Sequence, residues 1–261
     1  MNIENLRIAT GTSPSILPQN KTEFLKLKDS LEVSLIDYPY NPYRSMFSTA
    51  TATWGDNEYK DKWFLISKEN KLEVIKAVLT HNTLPQAREM VNFVFRVRGV
   101  PRWLFDYHTQ TKFTTFMSIG CRDNNKLDTD IIYGDKTQYA SNKENEVFLK
   151  LKDLYKEVIE KGQGSWQSAR TFLPQSYQHS YHFGQNLLSI ASMKFDTDDL
   201  KSHNLQLIYL QLIREINKKF PLIGLYLTIL QNNKDVVFNR IREIKFKDLD
   251  KFDKELFEEN D

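Results

Sequence analysis

Residues 162–194 read GQGSWQSARTFLPQSYQHSYHFGQNLLSIASMK, the run in which the chain departs most from ordinary globular patterning. Ser165 is suited to cap a short helix, which Leu173-Pro174 would end, because a residue before proline is pushed out of the α region. An alternating segment follows, and a second helix is expected from about Gln185. Arg170 falls inside the first short helix, where it would either hold a phosphate or pair with a carboxylate. Buried arginines most often serve structure, and residue type alone leaves both roles open. His179 and His182 lie in the alternating segment at a spacing that puts them on opposite faces, which argues against a shared metal ion.

Upstream, Val147, Phe148, Leu151, Leu154, Tyr155 and Val158 recur at helical spacing, so a helix is expected over Glu144–Lys161 with Gly162 as its stop. Charged and amide residues dominate 123–142, which reads as a long loop. Met90–Arg98 is the strongest strand, with Phe93, Phe95 and Val97 on one face and Arg96 and Arg98 on the other. Pro101 suits the first position of a following helix, whose inner side would carry Trp103, Leu104, Tyr107 and His108. Alternation predicts another strand at Leu31–Asp37, and prolines make Tyr38–Tyr43 a turn. Helices are expected over 46–54, 72–80 and, down to Pro221, 199–219, the last with Leu205, Ile208, Tyr209, Leu212, Ile213 and Ile216 inward. Residues 1–30 read as a flexible arm and 231–261 as a charged extension that is a surface helix or frays. Helices outnumber strands, which places the chain in the α+β class.

The 261 residues suffice for one large domain or two closely packed ones, with Phe 17 and Tyr 12 to fill an interior or a subunit interface. Lys plus Arg at 36 against Asp plus Glu at 34 gives a net charge of +2, no basis for coating a nucleic-acid polymer. A single cysteine, Cys121, excludes an internal disulfide framework and fits a reducing compartment. No long apolar run or signal-peptide core is present, so no membrane partner and a cytoplasmic location are expected. With 9 glycines, the spacings of a P-loop, a dinucleotide fingerprint and a hydrolase elbow do not occur. Cys121 has no partner base nearby in sequence and reads as a small buried thiol, and His81 and His108 as core or rim residues.

Three stretches together resemble the flavin-dependent thymidylate synthase family. They are Glu89-Met-Val-Asn-Phe-Val-Phe95 with Gly99-Val-Pro-Arg102, then Gly162 to Pro174 with its Ala169-Arg170 and Leu173-Pro174, then Asn186 before an apolar helix and a long helix closing at Pro221. The likeness spans roughly residues 31–230. The family's signature, Arg-His-Arg-x-x-Ser-x-Asn-x-x-Ser-x-Arg-Tyr, falls on Gln110 to Asp123, where Arg122 alone is retained outright. Lys112 and Thr115 replace their counterparts conservatively, while Gln110, Thr111, Met117, Gly120 and Asp123 do not. Tyr107 stands for a glutamine, Leu188 for an arginine, Ser192 for an asparagine and Thr197 for an arginine, with Lys194 near enough to substitute for the last.

The resemblance implies mixed helices around a small antiparallel sheet, a homotetramer with sites between subunits, and FAD as the bound redox cofactor. It also implies conversion of a pyrimidine deoxynucleotide, dUMP or a variant, with methylenetetrahydrofolate as one-carbon donor and NADPH as reductant. Arg122, Arg170, Tyr107, Ser118 and Lys194 would then meet the nucleotide, and Gln110, Thr111, Lys112, Asn186 and Ser192 the flavin. Two functional readings follow. One is a diverged flavin-dependent enzyme that methylates or hydroxymethylates a pyrimidine nucleotide, and the other is a nucleotide-binding or structural homologue without flavin chemistry.

Overall fold

The computed structural model describes residues 22–52, 59–81, 85–118, 129–138, 140–161 and 169–259. Its strands are β1 (Phe24–Lys26), β2 (Glu32–Asp37), β3 (Asn92–Pro101), β4 (Thr114–Ser118), β5 (Ile131–Tyr133) and β6 (Gln178–Asn186). A four-stranded sheet has the order β2-β3-β6-β4, and β1 pairs with β5 in parallel. The fold is of the expected α+β class, many helices and a small antiparallel sheet. Among the described residues no helix is long and apolar enough to cross a membrane.

The chain divides into two compact units. The first comprises Met1–Leu31, Arg98–His108 and Ser118–Tyr181. Its core joins Ile131, Tyr133, Tyr155, Ala169, Leu173 and Tyr177, with Phe24 and Phe148 packed against them. The loop expected at 123–142 is therefore interrupted by a strand, which pairs Phe24 with Ile131 and Lys26 with Tyr133. The expected arm also changes character from Thr22 onward. Lys152 is buried and donates to Thr22 Oγ1 and to the Thr129 carbonyl, both at 2.6 Å, and Leu27 is fully buried. The helix Asn142–Glu160 opens on a reciprocal cap between Ser141 and Glu144. Its apolar stripe is only partly covered. Tyr155 is buried, but Val147 and Leu154 are 48% and 43% exposed.

At Gly99 the backbone of β3 takes φ +68. A Cβ there would lie 1.8 Å from the Ser30 carbonyl oxygen, so this glycine is required by both conformation and space. The strand continues to Pro101 and the helix begins at Arg102, one residue later than Pro101 suggested. Leu104, Phe105 and His108 form its buried side, whereas Trp103 and Tyr107 are half-buried. His108 is a core residue. Its Nδ1 lies 2.7 Å from the Tyr181 hydroxyl, and burial lowers its pKa to about 3, so the ring is neutral.

The second unit comprises Glu32–Val97, Thr109–Met117 and His182–Asp261. Phe93, Phe95 and Val97 are fully buried, and Phe95 and Phe116 each pack on Phe183. Arg98 is exposed on the opposite face, as alternation requires. The same alternation buries His179 and exposes His182 on β6. A helix spans Pro42–Thr51, four residues ahead of the expected Met46, because Asn41 caps it by accepting the Arg44 N–H and Pro42 suits its first turn. Ser67 likewise starts Lys68–Thr80 earlier than its apolar residues imply. Leu200–Asn217, capped by Asp199, buries all six residues expected to point inward, and Pro221 begins a further helix, Pro221–Leu227.

The C-terminal extension is docked along much of its length. Helix Lys234–Glu243 buries Val237, Phe238 and Ile241, and Lys251–Phe257 buries Asp253 and Phe257. Tyr43 stacks on Phe257 at 4.8 Å, and Lys71 donates to the Phe257 carbonyl at 3.0 Å. Fraying is thus replaced by aromatic packing and hydrogen bonds.

Candidate functional site

Three segments of the second unit converge on a cavity of about 380 Å³. Helix Pro85–Glu89 contributes Glu89, the turn before β4 contributes Lys112 and Phe113, and the end of β6 with its following helix contributes Asn186, Leu188, Ser189, Ser192 and Met193. The local sequence fixes each wall. Asn186 caps Leu187–Ala191 by accepting the Ser189 N–H at 2.8 Å, and the Leu187 N–H donates to the Val91 carbonyl at 2.8 Å, which holds this corner against the start of β3. Ser192 donates back to the Leu188 carbonyl at 2.7 Å, which leaves its oxygen able to accept. Phe113 has φ 56, a left-handed conformation in which its ring stays 81% exposed beside Lys112.

The lining holds one cation and one carboxylate, Lys112 and Glu89, both exposed, with an amide, two hydroxyls and apolar side chains around them. Such a donor set suits an amphipathic ligand. Ammonium, amide and hydroxyl groups can meet phosphate or carbonyl oxygens, while Phe113, Leu188 and Met193 can meet a ring face. A flavin phosphate ester is of that kind, and these residues fit it.

The structure thus brings together Lys112, Asn186 and Ser192. Gln110 and Thr111 share the turn with Lys112 but do not line the cavity, and Thr111 Oγ1 donates to Thr114 Oγ1 at 3.2 Å. Lys194 is exposed and lines a neighbouring cavity, which shares Leu188, Ser192 and Met193 as a wall. Tyr107, half-buried, and Ser118, at the end of β4, belong to the first unit. Arg122 and Cys121 lie outside the described residues. Arg170 opens the 3₁₀ turn Arg170–Phe172; its side chain lies outside the described residues, as do residues 162–168 and with them the helix start expected at Ser165. Glu89, Phe113, Ser189 and Met193 are additions to the residues assigned from sequence. Glu89 carried a signal in the motif that it opens. Phe113 carried none, since glycine and asparagine are the usual marks of a left-handed backbone.

The chain belongs to the thymidylate synthase complementing protein family, whose family model matches residues 34–222. Among solved structures it is similar to the UMP/dUMP methylase PolB from Streptomyces cacaoi bound with 5-Br dUMP. The TM-score is 0.62 at 12% identity, over 79% of this chain and 97% of that one. A second structure of that methylase, bound with 5-Br UMP, gives a TM-score of 0.58 at 12% identity over 80% and 98% of the two chains. No curated protein matches the sequence.

Proposed function

We propose that this protein is a nucleotide methyltransferase that transfers a one-carbon unit to C5 of a pyrimidine nucleotide, dUMP or a variant of it. The observation that carries the reading is the convergence of Glu89, Lys112, Asn186 and Ser192, from three separate segments, on one cavity. Family membership supports the reaction class, and the UMP/dUMP methylase with a similar fold supports a pyrimidine monophosphate as substrate. FAD held there would supply the reducing equivalents that complete the methyl group, with methylenetetrahydrofolate as donor and NADPH as the source of electrons. Lys112 would neutralise phosphate oxygens, the Asn186 amide nitrogen would donate to a ring carbonyl, and Ser192 would accept. By the family resemblance, Arg122, Arg170, Tyr107 and Ser118 would meet the nucleotide.

The visible spectrum of the purified protein, before and after FAD is added and excess removed, tests this site. Bound flavin is expected in the wild type, and Lys112→Glu should reduce its retention at least tenfold, because the reversal removes the cation and puts a second carboxylate beside Glu89 and the phosphates. A colourless protein under both conditions would reject the flavin site. Incubation with reduced folate, reductant and either dUMP or UMP should then yield a base one methylene heavier.

A homotetramer is part of the same proposal. The exposed Val147 and Leu154 lie on one face of Asn142–Glu160, the kind of apolar stripe that a subunit interface covers. Sedimentation should give a particle near four times 30.8 kDa, and Leu154→Lys should shift it to smaller species. A wild-type monomer would remove the case for sites shared between subunits.

A further inference from the structure

The cavity beside the proposed flavin site, about 450 Å³, has a charge pattern which that site does not use. Arg88, Lys194 and Lys234 line it, and no carboxylate does. Among the described residues none of these three cations is in an ion pair. Glu89, the acid next to Arg88 in sequence, lines the other cavity.

Arg88 is the unusual member. It is 6% exposed, its guanidinium donates through Nη1 to the Tyr226 hydroxyl at 3.1 Å, and its Nε has no partner among the described residues. A buried cation left without a counter-charge is costly, and a fold retains one where an anion completes it. Tyr226 lines the same cavity, and burial raises its pKa against the opposing effect of Arg88, so it remains a phenol. It accepts from Arg88 and keeps its own proton to donate onward. Lys194 and Lys234 are exposed, and Leu188, Ile229, Leu230 and Phe238 supply apolar wall. Tyr226, Lys234 and Phe238 lie beyond the residues that match the family, so the C-terminal extension builds part of this cavity.

We propose that this cavity binds a phosphorylated small molecule, its phosphate against Arg88 and Tyr226, its charge also met by Lys194 and Lys234, and its apolar body against Leu188 and Phe238. A guanidinium and a phenol present directional donors to phosphate oxygens, which a carboxylate ligand would use less fully. The phosphate could belong to an independent metabolite or to a nucleotide.

Calorimetric titration of the full chain with inorganic pyrophosphate, and separately with dUMP, tests the proposal. Saturable pyrophosphate binding is expected, weakened roughly 30-fold by Arg88→Gln, which retains a donor for Tyr226 but removes the charge. Lys234→Glu changes an exposed residue, so folding should survive, and it should weaken binding about fivefold or more. If pyrophosphate displaces dUMP and both weaken in Lys234→Glu, the phosphate is the nucleotide's own. If pyrophosphate still binds to dUMP-saturated protein, the site serves a separate ligand. Absence of saturable binding, or equal affinity in wild type and both folded variants, overturns the proposal. The titration is read without flavin, so it stands apart from the spectral test of the neighbouring cavity.

Discussion

Gly99→Ala is expected to destabilise the protein by about 3 to 5 kcal/mol, seen as a large drop in the urea midpoint. Three costs combine. An alanine at φ +68 pays roughly 1 kcal/mol for the left-handed conformation. Its Cβ would sit 1.8 Å from the Ser30 carbonyl oxygen, and backbone must move to relieve the overlap, at about 1 to 3 kcal/mol. That movement also strains the bond from Ser30 Oγ to the Gly99 carbonyl, now 2.8 Å, for about 1 kcal/mol more. Gly184→Ala is the control. Its nearest neighbour would be the Phe93 carbonyl oxygen at 3.9 Å, so the change should stay below about 1 kcal/mol. Similar midpoints for the two variants would show that the backbone around Ser30 yields easily and that the contact does not constrain the fold.

Gly99 stands in a motif that the sequence made visible, while the carbonyl that makes it necessary comes from Ser30, far away in the chain. The same division runs through the molecule. Phe93, Phe95 and Val97 and the six inward residues of Leu200–Asn217 were legible because each depends on neighbours within a few residues. Ile131–Tyr133 was not. Three apolar residues in a polar stretch become a strand only when Phe24–Lys26 pairs with them. The C-terminal helices were ambiguous for a like reason, since Lys71 and Tyr43 decide whether Phe257 is covered. Periodicity on Asn142–Glu160 showed an apolar stripe but not that Val147 and Leu154 within it stay exposed. In the cavities, Lys112, Asn186 and Ser192 were reached through resemblance, whereas Arg88 lies in an ordinary Ala-Arg-Glu run with nothing to mark its burial.

Asp253 should make stability depend on pH in the direction opposite to most acidic side chains. It is 1% exposed, accepts from the Tyr43 hydroxyl at 2.5 Å and from the Leu222 N–H at 2.8 Å, and ties Lys251–Phe257 to two other helices. Burial pushes its carboxyl up to about 6 from 3.8, aided by the charge of Asp250, while the hydrogen bonds from Tyr43 and Leu222 pull it down. Because the folded value lies above the unfolded one, the group's contribution is fully present below about pH 4 and is lost as pH rises through 6. The loss amounts to about 3 kcal/mol by pH 8, from roughly two pKa units at 1.36 kcal/mol each. Asp253→Asn removes the titration and keeps an oxygen for the Leu222 N–H. Other ionisable groups shift both proteins alike, so the difference between variant and wild type isolates this one. Urea unfolding from pH 4.5 to 8 should show the variant gaining on the wild type by about 2 kcal/mol across that window, most of it below pH 6. Parallel curves would mean that Asp253 is ionised in the fold at acidic pH, with Tyr43 and Leu222 outweighing its burial. A gain that develops between about pH 4 and 6 and levels off above that would locate the proton that holds the C-terminal helix against the rest of its unit.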